Sequence, residues 1–109
     1  MKQIYIAVPY ASNPQRGIEL SIKYGQQIAR EGNIPVSPVL MFDPIFTCPD
    51  LCEETHKSFI LECCTKLLGK CDEAIFIIPE DMETLSNGQY VEWKYCEWHN
   101  IKSIVKKGV

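Results

Sequence analysis

The sequence predicts an α/β fold: a three-layer sandwich, Rossmann or flavodoxin-like, around a four-stranded parallel sheet. Two short apolar runs, Ile4 to Val8 and Ala74 to Ile78, have the length and β-branched bias of strands buried on both faces. Stretches with helical spacing separate them, and the first of these is followed within two residues by another short β-prone segment, Ile34 to Ser37. Strand, helix and strand joined this way pair in parallel. Right-handed crossovers then give the order 2-1-3-4, with a switch point between the first and third strands. Ligands of open sheets bind beyond the carboxyl ends of the strands at such a point. The loops Pro9 to Asn13 and Pro79 to Gly88 are therefore expected to frame a site.

Each element has its own signal. Pro9 ends the first strand, and Asn13 followed by Pro14 makes an N-cap and first helical residue for a helix carrying Ile18, Ile22, Gly25, Ile28 and Ala29. Gly32 supplies a left-handed stop. Residues 38 to 49 are apolar and proline-rich and are expected to form an irregular loop folded over a pocket. From about Asp50 to Leu68, Phe59, Ile60, Cys63, Cys64, Leu67 and Leu68 recur at helical spacing, and Gly69 ends that helix. The strand at Ala74 to Ile78 stops at Pro79. A final helix runs from Ser86 to about Asn100, and Ser103 to Val105 is a short last strand.

At 109 residues the chain is expected to be one domain, large enough to bury about two thirds of its unfolded surface. Its 46% apolar and 23% charged composition is that of a globular protein, and no apolar run approaches the ~20 residues that cross a bilayer. The N-terminus enters a strand almost at once, so no secretory leader and a cytoplasmic location are expected. A net charge of −3 argues against a nucleic-acid polymer as partner. The one basic cluster, Lys102, Lys106 and Lys107, reads as a solvated tail. The six cysteines read as free thiols and small core residues. Cys48, Cys52 and His56 would line up on one helix face but lack a fourth ligand, so no metal is assigned.

The chemistry concentrates in Ser86-Asn87-Gly88-Gln89-Tyr90-Val91-Glu92. Ser86 and Gln89 can form a capping box, which accounts for Ser86 structurally. Glu92 is different, because no lysine or arginine lies three or four positions away. A helical wheel puts Val91, Tyr95 and Trp98 on one stripe with Gly88 and Glu92 along its margin, so Glu92 is expected to be partly desolvated. The chain has no GxGxxG after the first strand, no Walker lysine and no histidine near a plausible nucleophile. Carboxylate chemistry at a helix N-terminus remains, and cleavage of a glycosidic bond fits it. Candidate ligand-binding residues are Ser86, Asn87 and Gly88 with Pro9, Tyr10, Ser12 and Asp43.

The chain resembles the nucleoside 2-deoxyribosyltransferase superfamily, including its deoxynucleoside 5′-monophosphate N-glycosidases. The likeness rests on Ile4-Tyr5-Ile6, Gly32-x-x-Pro35, Cys71-Asp72-Glu73-Ala74 and Ser86-x-Gly88-x-x-x-Glu92. It implies that Glu92 is the nucleophile that takes the deoxyribosyl group, that Tyr5 helps set the active site, and that a serine at position 86 goes with a phosphorylated ligand. It also implies a nucleoside or nucleotide substrate, no cofactor, and a homodimer or larger assembly with residues borrowed between subunits. One position departs from the pattern. The monophosphate hydrolases carry a catalytic aspartate eight residues before the Asp that precedes the third strand, and here that position is Cys64. Glu62 lies on another helix face, Asp43 could substitute if its loop folds inward, and Asp72 is expected to cap the strand entrance. The leading expectation is cleavage or transfer at an N-glycosidic bond. The alternative is a non-catalytic nucleotide-binding or sequestering module, and a purely structural domain would fill its pocket with its own side chains.

Overall fold

In the computed structural model, which describes residues 1–51 and 53–108, the elements follow in the order β1 (Gln3–Ala7), α1 (Pro14–Arg30), β2 (Ile34–Val36), α2 (Pro38–Phe46), a 3₁₀ turn (Pro49–Leu51), α3 (Glu53–Leu68), β3 (Glu73–Ile78), α4 (Asn87–Trp98) and β4 (Lys102–Lys107). The four strands form one parallel sheet in the order β2-β1-β3-β4. Each crossover between parallel strands carries a helix, as the expected chain order requires.

The alternation of side chains along β1 and β3 divides the core into two halves. Ile4, Ile6, Val8, Ile75 and Ile77 face α1, where Tyr24 and Ile28 meet them, with Leu20 and Val39 packed at the edge. Tyr5, Ala7, Ala74 and Phe76 point the other way, toward Leu68 of α3 and Cys96 of α4. Every residue of β3 is buried, as a central strand covered on both faces must be. Asp72 caps the sheet's amino end, accepting from the Gln3 N–H at 2.8 Å, at the opposite end of the strands from the Pro9 and Pro79 loops. No helix among the described residues is long and apolar enough to cross a membrane.

Local signals explain the helix starts. The Asn13 side chain accepts from the Arg16 N–H at 3.1 Å and Pro14 opens α1, while Gly32 takes the left-handed φ of +83° after its end. Residues 38 to 46, expected as an irregular loop, instead form helix α2. Ser37 is its N-cap, accepting from the Leu40 N–H at 3.1 Å, and Pro38 its first helical residue. Pro44 lies inside this helix on an exposed side, where the Leu40 carbonyl it leaves without an N–H can turn to water.

Two further expectations need correcting. The lysines at 102, 106 and 107 belong to strand β4, which pairs with β3 along its whole length from Glu73↔Lys102 to Ile78↔Lys107. On an edge strand, such lysines discourage pairing with another chain. In α4, Val91 and Trp98 are exposed, and the buried stripe is Gln89, Glu92 and Cys96. The wheel had ranked the helix by apolarity, whereas the sheet end offers unpaired carbonyls and the floor of a cavity, which polar side chains suit better.

Candidate functional site

The first turn of α4 is fastened to the sheet at the switch point. Gln89, 1% exposed, completes the capping box: its Oε1 accepts from the Ser86 N–H at 2.9 Å, and its own N–H donates to Ser86 Oγ at 3.3 Å. Its Nε2 donates to the Ala7 carbonyl at 2.9 Å and to the Ile77 carbonyl at 2.8 Å. One buried amide thus bridges the carboxyl ends of β1 and β3 and pins the helix start over the gap between them. The sequence had marked Gln89 only as half of a capping box.

Above this anchor lies a cavity of about 610 Å³, within the range of small-molecule sites. Pro9, Tyr10, Ser12, Asp43, Ser86, Asn87, Gly88 and Glu92 all line it, together with Cys64 and Lys57 of α3 and Val39, Phe42 and Phe46 of α2. Tyr5 lies beneath, fully buried. A purely structural domain would have filled this space. The first-turn N–H groups of Asn87 and Gly88 carry the positive end of α4 to the cavity's rim. A Cβ on Gly88 would meet nothing within 4 Å, so the missing side chain leaves open space there. Gly17 of α1 does the reverse: a Cβ would come to 3.1 Å from the Pro9 carbonyl and 3.2 Å from Tyr10 Cδ1, so this glycine lets the Pro9–Tyr10 turn sit tightly against the helix.

Glu92 is 7% exposed and accepts a hydrogen bond from the Tyr5 hydroxyl. Burial pushes its carboxyl up to about 7, and the Tyr5 bond, which favours the charged form, opposes that shift. Tyr5 is raised well above the usual phenol range, first by burial and then by the neighbouring Glu92 charge. Glu92 is thus a buried carboxyl facing a cavity, with a defined partner, and not a solvated surface charge.

Asp43 also faces the cavity and accepts from the Tyr10 hydroxyl, which ties α2 to the β1–α1 loop across the opening. The loop does fold inward, as a helix. Glu62 lines a separate, more open groove with Phe42, Phe59, Cys63 and Lys66. Glu92 and Asp43 are therefore the cavity's two carboxylates among the described residues. The Cys48, Cys52 and His56 spacing falls partly on Cys52, which lies outside the described residues. Position 64 had been pointed to by the resemblance, as that of a catalytic aspartate, whereas no motif announced Lys57 as a cavity residue; only the helical phase of α3, set against the switch point, would have placed it there.

The fold is that of a 2-desoxiribosyltransferase from Leishmania mexicana, with a TM-score of 0.71 over 98% of this chain. The chain spans 65% of that protein's length, and at 19% identity the likeness is one of fold. No protein of curated function matches the chain. A profile described as a domain of unknown function, DUF7768, matches residues 2–106, and the chain belongs to that family.

Proposed function

We propose that the chain cleaves or transfers at the N-glycosidic bond of a deoxynucleoside or deoxynucleoside monophosphate, with Glu92 as nucleophile. The observation that carries this reading is the buried Glu92 carboxylate, hydrogen-bonded by Tyr5 and open to a nucleotide-sized cavity. In the reaction a Glu92 oxygen attacks the anomeric carbon of the sugar while the bond to the base breaks. The base leaves with the bonding pair and takes up a proton, and water or a second base then resolves the glycosyl ester. Tyr5 orients the attacking carboxylate and favours its charged form. Asp43 is the cavity's other carboxylate and, tied to Tyr10, is a ligand-binding residue in this reading. The rim formed by Ser12, Ser86, Asn87 and Gly88 suits an anion or sugar hydroxyl, and Lys57 adds positive charge to the same cavity. Both features support a phosphorylated ligand, held in part by Pro9 and Tyr10. A homo-oligomer belongs to the same reading, supported by the apolar residues Leu40, Met41 and Ile45 that α2 exposes.

Because the nucleophile must be ionised, turnover should rise with pH through about 7 and then level off. The test is incubation with deoxynucleosides and their 5′-monophosphates, with and without an acceptor base, followed by chromatography. Base release that disappears in Glu92→Ala is the expected result; no release, or release indifferent to the substitution, contradicts it. Cys64 at the cavity, in place of a third carboxylate, favours a second reading in which the chain binds an intact nucleotide without turning it over. Calorimetry that shows tight binding, with the nucleotide recovered unchanged, would establish that reading instead.

A further inference from the structure

The walls of the cavity differ in chemistry. The β1–α1 loop and the start of α4 line it with the hydroxyls of Ser12 and Ser86, whereas α2 lines it with Val39, Phe42 and Phe46. On the reading above, a nucleotide occupies this space. Its sugar and phosphate then belong at the polar rim and its base against the apolar, aromatic wall, a placement that rests on that reading. Asp43 is set into that wall. Positions 39, 42, 43 and 46 follow helical spacing, so Asp43 lies on the face of α2 that the three apolar residues turn to the cavity. Thr47, at the end of the same helix, donates its hydroxyl proton back to the Asp43 main-chain carbonyl at 2.8 Å, which leaves the Asp43 carboxylate to face a base.

The carboxylate accepts from the Tyr10 hydroxyl through one oxygen. A carboxylate offers about four lone-pair sites and no proton, so both oxygens keep capacity for a ligand and both can only accept. Two acceptors side by side select a base edge with two adjacent donors. Guanine presents such an edge, its ring N1–H beside its 2-amino group. Adenine and cytosine present a donor beside an acceptor, and thymine a donor between two acceptors, so each sets a lone pair against the carboxylate. We propose that Asp43 makes the site selective for guanine, its two oxygens accepting from N1–H and the 2-amino group while the ring system lies against the aromatic wall of α2. Tyr10 is the positioning residue: its hydrogen bond holds the carboxylate in place from the β1–α1 loop.

Calorimetry on the full chain carrying Glu92→Gln, which leaves no nucleophile to release the base, reads recognition apart from turnover. The probes are deoxynucleoside 5′-monophosphates whose 6-oxopurine bases differ only at carbon 2: guanine with an amino group there, hypoxanthine with hydrogen and xanthine with a carbonyl. The guanine nucleotide should bind about tenfold tighter than the hypoxanthine one, which lacks one donor to the carboxylate. The xanthine and adenine nucleotides should bind more weakly still. Adding Asp43→Asn keeps the shape and an acceptor for Tyr10 but exchanges one acceptor for a donor. It should weaken the guanine nucleotide about tenfold and make the xanthine nucleotide the tighter of the two. Equal binding of the guanine and hypoxanthine nucleotides while Asp43 is intact, or a ranking unchanged by Asp43→Asn, would overturn the proposal, and the first comparison needs no Asp43 variant to fold. Guanine selectivity with no base release from the chain that keeps Glu92 would count against the reaction and leave the recognition standing. Glu92-dependent base release with no preference for guanine would sustain the reaction and overturn the recognition.

Discussion

Glu92→Gln should make this protein more stable at pH 8 and leave it almost unchanged at pH 5. Burial raises the folded-state carboxyl from 4.5 to about 7. Between those values the folded protein holds a proton that the unfolded chain has released, so wild-type stability falls as pH rises across that window and stays lower above it. At 1.36 kcal/mol per pH unit, the ionised carboxylate costs about 3 kcal/mol at pH 8. Glutamine is close in shape to the protonated acid, and its side-chain oxygen can still accept from Tyr5. The substitution should thus recover most of that ~3 kcal/mol at pH 8 and change stability by less than about 1 kcal/mol at pH 5. Urea unfolding of both proteins at the two pH values measures this directly, and the difference between them cancels every other titrating group. A variant equally destabilised at both pH values would refute the reasoning, because it would mean that the buried carboxylate does not titrate as its burial requires.

Two other substitutions separate the frame from the site. Gln89→Ala should cost about 3 kcal/mol, since it leaves the Ala7 and Ile77 carbonyls without their donor and removes half of the capping box; a loss under about 0.5 kcal/mol in urea unfolding would show that the amide does not anchor α4. Gly88→Ala places a methyl where nothing lies within 4 Å and relieves a helix of its glycine. It should stabilise the fold by up to about 1 kcal/mol while weakening nucleotide binding by calorimetry, and unchanged affinity would remove Gly88 from the binding surface.

The sheet order and the switch point were legible because they follow from strand length, helix spacing and handedness, none of which needs a side-chain contact. The candidates on the loops after β1 and β3 gathered around one cavity for the same reason, since those loops have to end there, whereas Asp43 reached it only through the unforeseen helix α2. Helix α2 was missed because residues 38 to 49 were read from their proline-rich composition as irregular, whereas Ser37 and Pro38 start a helix that carries Pro44 inside it. The face of α4 was misjudged because periodicity ranks residues by apolarity, and the polar Gln89 and Glu92 are buried by what surrounds them. The strand ends supply carbonyls for the amide, and Tyr5 supplies a donor for the carboxylate.

The central claim is that Glu92 bonds to sugar. Mixing the protein with deoxynucleoside 5′-monophosphates, quenching in acid within a turnover and measuring intact mass and peptide masses tests it most directly. One added deoxyribosyl phosphate group, mapped to Glu92, is expected, with the base released in equal amount and both lost in Glu92→Gln. Base release without a sugar adduct and undiminished in Glu92→Gln would contradict it.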